Sequence, residues 1–143
     1  MSETKRIVLD ANILLRGVFG IRVRHLLTAY FETVVFYTPE ICVEDALKYI
    51  PSIAQRRRLD PDESEANFRQ LLQSCLTIVE RTLYEEFEQR ARARIAPRDA
   101  DDWPVVATAL LLNAPIWTED QDFFGSGIAT WTSGKIELYL RDG

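Results

Sequence analysis

The chain alternates short, unbroken apolar runs with segments whose apolar residues recur at helical spacing. Ile7, Val8 and Leu9 form one run, closed by Asp10, and Val34, Val35, Phe36 and Tyr37 form another, closed by Thr38 and Pro39. Residues 76–79 and 115–117 continue the series, and 128–131 reads as the last strand. A strand with one wet face would alternate, so continuous runs this short predict strands covered on both faces. Between the runs Phe68, Leu71, Leu72 and Cys75 fall at i, i+3, i+4 and i+7, one face of a helix. Asp60, Pro61, Asp62 and Glu63 give that helix a cap, a first-turn proline and acids that complement its dipole. Thr38-Pro39-Glu40 opens another helix in the same way. Thr82 with Glu85 reads as a capping box for a helix over 83–95 that stops before Pro97. This alternation predicts a three-layer α/β/α fold with a mainly parallel central sheet, and residues 1–143 read as a single domain.

Composition narrows the chemistry. The 143 residues are 47% apolar, enough for a core that needs no disulfide or structural metal. Seventeen Lys and Arg against 22 Asp and Glu give a net charge of -5, so contact with phosphates must come from a local basic patch or from bound cations. Cys42 and Cys75 lack the paired spacing of zinc or thiol-exchange sites and read as buried free thiols, which suits a reducing cytoplasm. No signal-peptide h-region follows Met1 and no segment approaches the roughly 20 apolar residues of a membrane span, so a cytoplasmic protein that does not enter the membrane is expected. His25 is the only histidine, which removes histidine-rich zinc sites, HExxH proteases and any Ser-His-Asp triad not built on His25 itself. The six glycines form neither a GxxxxGK[ST] nor a GxGxxG loop.

What remains is a set of acids. Ligands of open parallel sheets bind outside the carboxyl ends of the strands. Asp10 closes the first strand there, and Thr118, Glu119 and Asp120 close the 115–117 strand. Glu40, Glu44 and Asp45 follow the second, and Asp99, Asp101 and Asp102 precede a helix over 105–112 whose start Pro104 places near Asp101 or Asp102. Acids converging on one crevice repel one another, and a divalent cation is the expected relief. Carboxylates select hard ions, Mg²⁺ or Mn²⁺, and a pair of ions about 3.5–4 Å apart could clamp the attacking and leaving oxygens of a phosphodiester. Taken singly, Asp99, Asp101 and Glu40 read more readily as helix caps or first-turn acids than as ligands. Asp10, at the end of an apolar strand, is costly unless something pairs with it. Asp120, Asp122 and Gly125 open like a calcium loop, but Phe124 and Trp131 stand where ligands are required. A haloacid-dehalogenase site would want an aspartate where Asn12 stands.

The motifs, taken in order, resemble the PIN domain family, in particular the VapC-like ribonuclease toxins of prokaryotic toxin–antitoxin pairs. The resemblance rests on Ile7-Val8-Leu9-Asp10-Ala11-Asn12, on Thr38-Pro39 through Val43-Glu44, on Asp102-Trp103-Pro104-Val105-Val106-Ala107-Thr108-Ala109, and on Thr118-Glu119-Asp120-Gln121-Asp122-Phe123. It implies that Asp10, Glu44, Asp102 and Asp120 are the catalytic metal-binding acids, that Asp122 is an outer or second-metal ligand, and that Asn12 and Thr118 support the first and fourth acids. A one-turn shift in register would exchange Asp102 for Asp99 or Asp101. The implied activity is metal-dependent hydrolysis of RNA phosphodiesters. Glu119 stands where the family often has a small or basic residue. Arg16, Arg94 and Arg98 are the candidate contacts to the RNA backbone, each with an ordinary reading as a solvated side chain. A cognate antitoxin and a homodimer are the partners the resemblance implies. An RNA- or protein-binding module without catalysis, or a metal-dependent DNA nuclease, would share these motifs.

Overall fold

Ile7, Val8 and Leu9 are fully buried because β1 (Lys5–Leu9) is the middle strand of a five-stranded, all-parallel sheet. The computed structural model describes residues 4–96 and 100–141. The strand order is β3 (Leu76–Val79), β2 (Val34–Pro39), β1, β4 (Ile116–Trp117), β5 (Thr130–Trp131). Lys5 pairs with Val34 and Val8 with Tyr37 on one side of β1, and Leu9 pairs with Trp117 on the other. The chain therefore winds outward from β1 through β2 and β3, then crosses back to lay β4 and β5 on the opposite side. The ends of β1 and β4 flank that reversal, where a crevice opens in sheets of this kind.

Helices flank the sheet. α1 (Ala11–Phe19), α3 (Glu40–Arg56) and α4 (Pro61–Cys75) pack on one another, with α2 (Ile21–Tyr30) against α1. α7 (Trp103–Leu112) lies against β1 and β2 and carries α6 (Glu88–Ile95) on its back. All residues over 103–109 are buried, which explains why that stretch shows so little amphipathic periodicity. Asn113 closes α7 in the left-handed conformation at φ 51°, where a short polar side chain is tolerated, and Ala114 N–H then bonds the Ala109 carbonyl. α8 (Ile136–Arg141) completes the described chain.

The Asp60 cap forms as expected, its side chain accepting from Asp62 N–H at 3.0 Å with Pro61 at the first helical position. Several expectations change. Thr38 and Pro39 end β2, the Thr38 hydroxyl donating to the Leu9 carbonyl at 2.9 Å, so α3 begins at Glu40 with Pro39 at its N-cap and no side-chain cap. β3 lies at the sheet edge and leaves Thr77 and Ile78 exposed. The helix beyond β3 starts at Arg81, whose N–H donates to Glu40 Oε1 at 2.8 Å, so Thr82 lies inside the helix and caps nothing. It then divides into α5 (Arg81–Tyr84), a 3₁₀ turn (Glu85–Phe87) and α6. The last strand is shortened to two residues because Gly125 and Gly127, at φ 86° and 84°, turn the chain just ahead of it. Cys42 and Cys75 are buried free thiols. No helix among the described residues is long and apolar enough to cross a membrane.

Candidate metal centre

The site begins with a strand that stops and a helix that starts. Asp10 follows β1 in an extended conformation, φ −86° and ψ 175°, which turns its side chain back over the first turn of α1. There Oδ1 accepts from Ile13 N–H at 2.9 Å, an N-cap that a carboxylate at a helix N-terminus makes well. The Leu9–Trp117 register carries Asp10 and Thr118 side by side, one residue past their strands. The Thr118 hydroxyl donates to Asp10 Oδ2 and accepts from Asp120 N–H at 2.9 Å. Asp120 Oδ1 in turn accepts from Asp122 N–H at 2.9 Å, capping the 3₁₀ turn over Gln121–Phe123. One line of hydrogen bonds thus fixes three acids from two elements.

Asp10 is only 6% exposed, and burial raises its carboxyl to about pH 6, although the Thr118 and Ile13 donors pull it down. Asp120 and Glu119 add smaller upward pushes. Across the crevice Asp102 occupies the N-cap of α7, with Pro104 in its first turn. Carboxylate oxygens of Asp102, Asp120 and Asp122 lie within 4.8 Å of one another, and all three residues are half-buried. Oxygens this close can share one hard cation, so these residues can hold a metal ion. A cavity of about 110 Å³ runs beside them, walled by Asp10, Asn12, Asp45, Asp101, Asp102 and Asp120. Cys42 also reaches it, but burial and the charges of Asp10 and Asp45 hold its thiol protonated.

Of the residues expected from sequence, Asp10, Asn12, Asp102 and Asp120 meet in this crevice, Asp122 joins the oxygen cluster, and Thr118 ties Asp10 to Asp120. Asp102 rather than Asp101 contributes to the cluster, Asp101 being an exposed wall residue. Glu44 is not brought in. It is exposed, and Asp45 takes the wall position on α3. The reason is helical phase: Cys42, Ala46 and Ile50 face the core, and Asp45, one turn beyond the wall residue Ile41, lies on the crevice side, whereas Glu44 is rotated about 100° away. Glu119 points elsewhere, accepting from Ser133 N–H at 2.5 Å. Ser133 went unnoticed in the sequence, yet its hydroxyl also accepts from the buried Trp117 indole at 3.0 Å. Arg16 is exposed one turn beyond Asn12 on α1. Arg94 lines a different cavity, its guanidinium donating to the Ser126 carbonyl at 2.9 Å. Arg98 and Asp99 lie outside the described residues.

A comparison with protein families matches the PIN domain over residues 8–141. The chain belongs to the PIN domain family. Among curated proteins none matches it. Solved structures share the PIN fold at low identity. A Pyrobaculum aerophilum protein is 13% identical, with a TM-score of 0.72 over 98% of this chain and 92% of its own. VapBC2 from Rickettsia felis, bound to a DNA fragment from its promoter, is 12% identical, with a TM-score of 0.70 over 89% and 98%. A toxin–antitoxin complex from Klebsiella pneumoniae is 18% identical, with a TM-score of 0.63 over 89% and 97%. In this PIN domain the acid crevice falls at the strand ends where the sheet reverses.

Proposed function

We propose that this PIN domain is a Mg²⁺- or Mn²⁺-dependent endoribonuclease and the toxin of a toxin–antitoxin pair. The observation that carries the reading is the convergence of Asp102, Asp120 and Asp122 oxygens beside a buried Asp10 locked in place by Thr118. When bound, the cation supplies the positive charge that polarises a phosphodiester and acidifies an attacking water. The protein's own task is to hold its carboxylates rigid and close together. Asp102, Asp120 and Asp122 are the ligands, and Asp10, with both oxygens engaged by fixed donors, backs them from the crevice floor. Asp45, in place of Glu44, is the wall acid that α3 supplies. Asn12 and Arg16, on one face of α1, meet the RNA backbone at the rim. No histidine lies in the crevice, so a side-chain general base is not part of the scheme. The toxin assignment is supported by a solved structure of the same fold that is described as a toxin–antitoxin complex from Klebsiella pneumoniae.

The test is incubation of a mixed panel of single-stranded and transfer RNA with the purified protein in Mg²⁺, Mn²⁺ or EDTA. Cleavage that requires a metal is the expected result. Folded protein that cuts nothing in either metal would overturn the proposal in favour of a binding role.

A further inference from the structure

The far edge of the sheet carries a second polar crevice that the acids do not reach. Two adjoining cavities of about 480 and 350 Å³ open there and share Asn113 and Tyr139. They lie at the N-terminal ends of the strands, against Lys5, Arg6 and Pro115. The five residues of β1, about 16 Å long, separate them from Asp10. Lys5, Arg6 and Arg94 line the crevice, and no acid does among the described residues. Each of the three donates to a backbone carbonyl, Lys5 to Tyr139, Arg6 to Leu112 at 3.2 Å and Arg94 to Ser126 at 2.9 Å. Those bonds hold the cations in place without cancelling their charge, and none of the three takes part in an ion pair among the described residues. On a chain of net charge -5 this is a local excess of positive charge with no acidic partner among the described residues.

Aromatic surface accompanies the charge. Trp131 and Tyr139 pack with ring centroids 5.7 Å apart and line the same cavity, each half-buried. Tyr139 is anchored by its hydroxyl, which donates to the Arg6 carbonyl at 2.8 Å. Gly127 lets the Arg94 guanidinium settle against the backbone, since a Cβ there would come within 2.3 Å of Nη1. Fixed cations for phosphates beside fixed rings for bases are the two components of a sequence-tolerant site for a single strand.

We propose that this crevice binds single-stranded nucleic acid, phosphates on Lys5, Arg6 and Arg94 and a base against Trp131 and Tyr139. The site is separate from the acid crevice and does not rest on cleavage there. The experiment titrates the full chain, in EDTA so that no cutting occurs, with twelve-residue oligouridylate or oligothymidylate, following tryptophan emission. Trp103 and Trp117 are buried, so quenching by a stacked base reports on Trp131. Both oligomers are expected to quench, and Arg6→Gln with Arg94→Gln together should weaken binding at least fivefold. The same double variant should flatten the dependence of log K on log salt by about 1.4, two phosphate contacts at roughly 0.7 each. Arg56→Gln with Arg69→Gln, an equal charge loss elsewhere, should bind within twofold of wild type. Absent quenching, equal weakening by the two double variants, unweakened binding by the crevice variant, or displacement by polyglutamate at the oligonucleotide's own affinity would each overturn the proposal.

Discussion

The Thr118 hydroxyl donates to Asp10 Oδ2 while accepting from Asp120 N–H, so one side chain positions two acids that are 110 residues apart in sequence. Thr118→Val keeps the shape and removes both bonds. Loss of a partner that orients a metal-binding carboxylate characteristically costs about 10–100-fold in affinity or activity. Calorimetric Mn²⁺ binding should weaken by that amount, and Thr118→Ser should restore most of it. An unchanged affinity in the valine variant would show that the bond does not organise the centre.

Burial of Asp10 gives a pH dependence of definite sign. Its carboxyl ionises near pH 6 in the fold against an ordinary 3.8, so between those values the folded state keeps a proton that the unfolded chain has released. The contribution of Asp10 to metal-free stability is therefore greatest below about pH 4, falls as pH rises to about 6, and is level above, a change on the order of 1–3 kcal/mol. Asp10→Asn keeps an oxygen for Ile13 and removes the charge. Urea unfolding in EDTA should find this variant the more stable above pH 6, with the slope between pH 4 and 6 reduced. Ionised Asp10 adds negative charge behind the three ligand acids, so metal binding should strengthen in wild type as pH rises through about 6.

The two neighbouring acids of α3 should separate cleanly. Asp45 walls the crevice and Glu44 is exposed. Asp45→Asn is expected to lower RNA cleavage at least tenfold, whereas Glu44→Gln stays within about threefold, roughly the effect of a remote surface charge. The reverse ranking in initial rates would restore Glu44 to the site.

Ser133 supports the fold behind the centre. Its hydroxyl accepts from the Trp117 indole, and its N–H holds Glu119. Ser133→Ala leaves a buried indole N–H without its acceptor and should cost about 1–3 kcal/mol in urea unfolding, with Mn²⁺ affinity retained. A drop in affinity with stability intact would make it part of the metal site instead.

Much of this was legible in the chain. Unbroken apolar runs marked β1 and β2, which lie inside the sheet, and short largely apolar stretches marked the other strands, although the edge strand β3 leaves Thr77 and Ile78 exposed. Asp10, Asp102 and Asp120 were placed because each follows a strand or opens a helix at the carboxyl edge of the sheet. Several features were not visible. Thr82 and Glu85 carry the pattern of a capping box, but a side chain 41 residues away, Glu40, receives the Arg81 N–H and starts the helix early. Glu44 fitted the spacing of a family motif, while the direction of a helical side chain is set by which neighbours the core takes. Arg94 sat close to Asp102 in sequence, yet α6 delivers it to the cavity beside Gly127. Local pattern fixes an element; long-range partners decide where it begins and which way it faces.

The most direct test of the nuclease assignment compares wild type with Asp10→Asn on the RNA panel in Mg²⁺ and in Mn²⁺, after circular dichroism has shown both proteins folded. Metal-dependent cutting by wild type and its near-complete loss in the variant are the expected result. A variant that kept more than half of the wild-type rate would contradict it, because cleavage would then arise somewhere other than the crevice that Asp10 and Thr118 define.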